Sequence, residues 1–133
     1  MDKYTVDTVA FLSYLADALP NKVDDIFKLA EKNQVVLILP SIVLGEALYT
    51  IYKGKNIFGK HIPTEKIPEI FEILKTSSAI ELSHMDLNSW EIFNELSLSE
   101  MHDRMIVAIS RSQNAKAIIT TDKEIAECEE VIW

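Results

Sequence analysis

At 133 residues, 48% apolar and 26% charged, the chain has room for one domain with a sizeable core and is too apolar to stay disordered. Its 13 basic against 21 acidic residues leave a net charge of −8, which argues against simple electrostatic capture of nucleic acid; one cysteine, Cys128, excludes an internal disulfide framework and fits a reducing cytoplasm. "MDKYTVDTVAFL" lacks the basic region and long apolar stretch of a secretory signal, and "VVLILPSIVLG", broken by Pro40 and Ser41, is too short to span a bilayer.

The elements then follow in chain order. "KYTVD" opens as a short strand. "TVAFLSYLADAL" has helical spacing at Val9, Leu12, Ala16 and Leu19 and stops at Pro20. Asn21 can cap a second helix, "KVDDIFKLAEKN". "QVVLIL" is a continuous apolar run, as in a strand buried on both faces. Pro40 suits the first turn of the next helix, "SIVLGEALYTI", which Gly54 ends. After a loop to Pro63, "EKIPEIFEILKTS" reads as a helix and "AIELS" as a strand. "DLNSWEIFNEL" and "SEMHDRMIVAISRSQN" are helices, the second capped by Ser99. "KAIITT" is a strand, "DKEIAEC" a short helix and "EVIW" a last strand. Strands alternating with helices predict one α/β domain over 1–133: a three-layer α/β/α sandwich with a mostly parallel sheet.

Four acids carry the functional signal. In such folds the site lies outside the carboxyl ends of the strands. Asp7 and Asp122 fall there, each directly before a helix, and each can equally be a helix cap. Asp103 lies early in its helix, on the face of Ile106 and Val107. Glu46 has Ile42, Val43, Tyr49 and Thr50 as its helical neighbours, an apolar setting for a carboxylate. For Asp103 and Glu46 the other reading is an ion pair with a nearby base. If all four converge on one sheet edge, they repel one another and must protonate or find cations. Most basic residues sit on exposed faces or loops, so a divalent metal is the simpler partner. An all-oxygen site suits Mg²⁺ or Mn²⁺, one ion or two. Zinc is disfavoured, since His61, His84 and His102 lack ligand spacing and Cys128 is alone.

"TVDT", "PSIVLGEALY", "MHDRMIVAIS", "AIITTDKEI" and the terminal "VIW", in this order, resemble the PIN domain, and within it the compact VapC-type toxin ribonucleases. The resemblance covers nearly the whole chain. It implies a parallel-sheet sandwich and a metal-binding quartet at Asp7, Glu46, Asp103 and Asp122. Thr8 and Thr120 or Thr121 match hydroxyl residues placed near the metal. The implied activity is hydrolysis of RNA by a metal-activated water, leaving a 5′-phosphate and a 3′-hydroxyl, with no side-chain nucleophile. A small antitoxin protein, a homodimer and a cytoplasmic setting without membrane contact are the matching expectations. The alternative is a PIN scaffold that binds RNA or protein and no longer cuts. A Mg²⁺-binding phosphorelay receiver is disfavoured, because Thr8 stands where it would place a second acid after the first strand.

RNA binding still requires local positive potential. "KGKNIFGKHI" offers Lys53, Lys55, Lys60 and His61, with Phe58 to stack on a base; a solvated loop is the other reading. Arg104 and Arg111 share a helix face and could hold phosphate, or simply be exposed. Phe11, Tyr14, Phe27, Phe71, Trp90, Phe93 and Met105 are expected in the core or an interface, and Cys128 as a small apolar filler.

Overall fold

The computed structural model describes residues 1–133. Five strands, β1 (Lys3–Val6), β2 (Val36–Pro40), β3 (Ile80–Ser83), β4 (Ala117–Ile119) and β5 (Val131–Ile132), form one sheet in the order β3-β2-β1-β4-β5. Every pairing is parallel. Seven helices connect and cover it: α1 (Thr8–Leu15), α2 (Asn21–Glu31), α3 (Ser41–Tyr52), α4 (Ile67–Thr76), α5 (Leu87–Glu95), α6 (Met101–Ser112) and α7 (Lys123–Cys128). This is the predicted α/β sandwich. β2 and β4 are apolar runs because helices cover both of their faces, so neither face has polar residues to alternate with.

Chain order places the site. From β1 the chain steps to β2 and β3 on one side, then crosses back to β4 and β5 on the other. Strand order therefore reverses between β1 and β4, and ligands of open α/β sheets bind beyond the strand ends at such a point. Thr5 of β1 sits in register with Ile38 and Ile118. Its buried hydroxyl donates to Ser110 Oγ of α6 at 2.9 Å. Ser110 and Asp103 are two turns apart on one face of α6, so this bond also fixes Asp103 against the end of β1.

Several helix ends differ from the sequence expectation. α1 stops at Leu15 rather than Leu19, because Asp17 turns left-handed (φ 53°). Ala18 N–H then donates to Ser13 O at 2.8 Å and Asp17 N–H to Tyr14 O at 3.1 Å, a Schellman ending. Asn33, Gly54 and Asn114 close α2, α3 and α6 in the same way. Only Gly54 was foreseen, since aspartate and asparagine bear this conformation less often than glycine. The cap of α2 is Pro20, with Asn21 already helical. Pro40 likewise stands at the cap of α3 rather than inside its first turn. The cap of α6 is Glu100 and not Ser99: the Glu100 side chain accepts from Asp103 N–H at 2.7 Å.

The core follows the apolar faces, with Phe11 and Phe27 buried. Phe71 and Trp90 are instead substantially exposed, and so is Cys128, which is no core filler. No helix is long and apolar enough to cross a membrane.

Candidate active site

Each of the four acids is delivered by a different element. Asp7 follows β1 and is buried. It caps α1, with Oδ1 accepting from Ala10 N–H at 2.9 Å, while Oδ2 accepts a very short bond from the Thr120 hydroxyl. Asp122 follows β4 and caps α7 through Ile125 N–H at 2.9 Å; its own N–H donates to Thr120 Oγ1 at 3.0 Å. The cap and the site readings of these aspartates are thus not exclusive. A cap uses one carboxylate oxygen, and the side chain still reaches the strand edge.

Glu46 comes from the second turn of α3. Its Oε1 accepts from the Thr8 hydroxyl at 2.6 Å and its Oε2 lies 2.9 Å from His102 Nδ1. Its side chain is 33% exposed, and no lysine or arginine pairs with it. The expected apolar surroundings are corrected: Val43 faces the core, whereas Tyr49 points to solvent. Asp103 comes from the first turn of α6. Partial burial, the facing Asp122 carboxyl and then Glu100 and Glu46 raise its pKa to about 7. Burial also raises Asp7, against the lowering bonds from Thr120 and Ala10.

The four acids line one cleft of about 190 Å³, with Thr8, Thr121, Val9 and Ile106. Thr120 lies beneath, buried against Asp7, so the two threonines divide the expected hydroxyl role between them. A larger cavity, about 570 Å³, lies around the Glu95–Ser99 loop, Glu124, Glu127 and Cys128. Its one cation, Arg111, is held by Glu129 at 2.5 Å, so it is not a free phosphate ligand and the cavity lacks the converging chemistry of the cleft.

The donor set of the cleft, carboxylates and hydroxyls with no balancing lysine or arginine, has the chemistry of a hard divalent cation site. Asp7, Glu46 and Asp122 accept bonds from protein donors. No group of three or more His, Cys, Asp or Glu residues is arranged to enclose an ion. Asp7 and Glu46 have both oxygens engaged, so each would take an ion on a remaining lone pair.

Sequence reasoning missed His102 and Glu100. His102 was set aside because it has no histidine partner, yet it clamps Glu46, with Glu100 Oε1 a further 3.8 Å contact. The available signal was its place directly before Asp103. None of the expected RNA-binding residues lines the acidic cleft. Lys53 lies about 10 Å along α3 from Glu46 by helical rise, its ammonium 5.4 Å from the centre of the Tyr49 ring. Lys60 Nζ donates to Asp17 O at 2.7 Å. Lys55, Phe58 and His61 are exposed. Arg104 stacks on Phe93 at 4.5 Å and donates to its carbonyl at 2.5 Å, tying α6 to α5.

The PIN domain family model matches residues 4–131. The chain belongs to the PIN domain family. Its fold is similar to that in VapBC2 from Rickettsia felis bound to a DNA fragment from their promoter, at 17% identity over 98% of both chains with a TM-score of 0.72. It is also similar to DNA-bound VapBC from Salmonella typhimurium, at 17% identity over 99% of this chain and 98% of that one, TM-score 0.68. Mycobacterium tuberculosis VapC20, a sarcin–ricin loop cleaving toxin, is 15% identical over 93% of both chains, TM-score 0.58. No curated protein sequence matches the chain. In this PIN domain, the acidic cleft lies at the point where strand order reverses.

Proposed function

We propose that this PIN domain is a Mg²⁺- or Mn²⁺-dependent endoribonuclease and the toxin of a toxin–antitoxin pair. The carrying observation is four carboxylates in one small cleft at the sheet's switch point, with no lysine or arginine to neutralise them. Asp7, Glu46, Asp103 and Asp122 would hold the ion. When bound, it supplies an activated water and stabilises charge on the phosphodiester.

The chain's own residues prepare that site. Thr120 and Ala10 N–H fix both oxygens of Asp7. Thr8 and His102 hold Glu46 at the cleft rim. Orienting bonds of this kind to metal-binding groups typically matter 10–100-fold in metal affinity or activity. Burial, then Asp122, raise the Asp103 carboxyl to about 7, so a bound cation would compete with its proton near neutral pH. No side chain is built as a nucleophile. The Thr8 and Thr120 hydroxyls donate to carboxylates, and burial followed by Glu129 pushes the Cys128 thiol up. Attack by water leaves a 5′-phosphate and a 3′-hydroxyl.

Lys53, Lys55, Lys60, His61 and Phe58 would meet the RNA outside the cleft, with Arg104 bracing α6 nearby. Two of the similar structures are VapBC assemblies, which supports a small antitoxin partner. A homodimer and a cytoplasmic setting belong to the same reading. One observation favours a scaffold that no longer cuts: both oxygens of Asp7 and of Glu46 already accept from or contact protein groups.

Partner-free protein incubated with total RNA decides between the two. Cleavage is expected with Mg²⁺ or Mn²⁺, stopped by EDTA and absent from Asp103→Asn purified in parallel. Cleavage that survives EDTA would sink the metal mechanism; none under any condition would leave the scaffold.

A further inference from the structure

The helix that delivers Glu46 is apolar on two sides. Val43, Ala47 and Ile51 face the core, as their burial shows. On the other side Ile42, Gly45, Tyr49 and Tyr52 recur at spacings of three and four. Tyr49 is 59% and Tyr52 68% exposed. Ile42 is half-buried against the core, but Gly45, Tyr49 and Tyr52 stand exposed, and an apolar helix side of this kind is ordinarily covered.

That side is concave. Ile42, Gly45, Tyr49 and Thr50 form a cavity of about 450 Å³, walled by Thr8, Glu46 and His102. The space is open above Gly45, where even an added Cβ would touch nothing within 4 Å. Thr8 and Glu46 also line the acidic cleft, so the two concavities adjoin across the bonded Thr8–Glu46 pair. Glu46 and Tyr49 are neighbours on the helix surface, about 5–6 Å apart at Cβ. An aromatic ring therefore stands one residue contact from the carboxylates, with the Lys53 ammonium over one of its faces, 5.4 Å from the ring centre.

We infer that this cavity is a nucleotide subsite. The base adjoining the scissile phosphate stacks on Tyr49, and Lys53 meets the phosphate beyond it. A π-face suits any base, a cation suits the backbone, and the wall shared with the cleft sets which nucleotide is held. The inference rests on the ribonuclease reading and adds to it the place where single-stranded substrate is gripped.

The test uses a random-sequence single-stranded RNA 16-mer and full-length wild type, Tyr49→Ala, Tyr49→Phe, Tyr49→Trp and Lys53→Ala, with sedimentation and a thermal melt for each. Tyr49 is exposed, so the variants should fold. Tyr49→Ala should raise KM about tenfold with kcat little changed, and Phe or Trp should keep the wild-type KM. Lys53→Ala should raise KM less and flatten its salt dependence. Wild-type cleavage with an unchanged KM in Tyr49→Ala overturns the subsite and leaves the ribonuclease reading standing. If Tyr49→Ala turns a dimer into a monomer, and KM follows only that change, a second copy covers this face and the subsite is wrong. A wild type that cleaves nothing with Mg²⁺ or Mn²⁺ overturns the ribonuclease reading and the subsite with it.

Discussion

Glu46→Gln should abolish metal-dependent RNA cleavage while leaving the metal-free fold at least as stable as wild type. The substitution keeps the side chain's shape and removes one of four clustered charges. The amide can still accept from Thr8, and His102 can present its other tautomer to the new N–H. A change within about 1 kcal/mol, of either sign, is therefore expected in EDTA. Activity should fall at least about 100-fold, since even outer groups at metal sites can matter that much. A structural ion pair would behave in the opposite way, stranding a buried base at a cost of about 3–5 kcal/mol. Glu46 has no lysine or arginine beside it, and its one basic neighbour, His102, is more than a third exposed and so is not stranded. Chemical denaturation in EDTA beside the cleavage assay gives both numbers. A destabilised but active Glu46→Gln would assign this glutamate to the fold.

Asp103→Asn should remove a pH-dependent weakness of the metal-free protein and most of its stabilisation by Mn²⁺. The folded carboxyl titrates at about 7 against 3.8 in a model compound. A raised value means that the fold binds this proton more tightly than the unfolded chain does. The resulting stability is complete below about pH 3.8 and is lost as pH rises through about 7. Asp103 is only half-buried, so solvent screening reduces the loss to about 1–2 kcal/mol. Stability in EDTA should thus fall between pH 4 and 7 more steeply in wild type than in Asp103→Asn. At pH 7.5, Mn²⁺ at a hundredfold excess over its Kd should add about 2.7 kcal/mol, a rise of roughly 8–13 °C in Tm for a domain of this size. Asp103→Asn should show much less. Equal shifts in the two proteins would remove Asp103 from the site.

The two variants probe different halves of what could be read in advance. Alternation of apolar strands with amphipathic helices sufficed for the parallel sandwich, because periodicity is written in neighbouring residues. "QVVLIL" read as a strand covered on both faces, and Gly54 as the close of a helix. The order of Asp7, Glu46, Asp103 and Asp122 also stood in the sequence, since acids at strand ends and inside apolar helix faces are locally conspicuous. Helix endings on Asp17, Asn33 and Asn114 were not legible, because these residues adopt the left-handed region only where the surrounding fold closes the turn.

Beyond the local helix caps of Asp7 and Asp122, what holds the acids was decided by tertiary structure. Glu46 is bonded by Thr8, 38 residues before it, and by His102, 56 residues after it. Asp7 meets the hydroxyl of Thr120 across 113 residues. The Asp103 carboxyl is raised by burial and then by Asp122, at the cap of another helix. Hydrophobic pattern fixes which face of an element turns inward, but a hydrogen bond depends on contact between particular atoms, and only the packed sheet brings the ends of β1 and β4, the second turn of α3 and the first turn of α6 to one cleft. The sequence by itself determined the fold class and the four candidate acids; the reversal of strand order between β1 and β4 decided that they face one another.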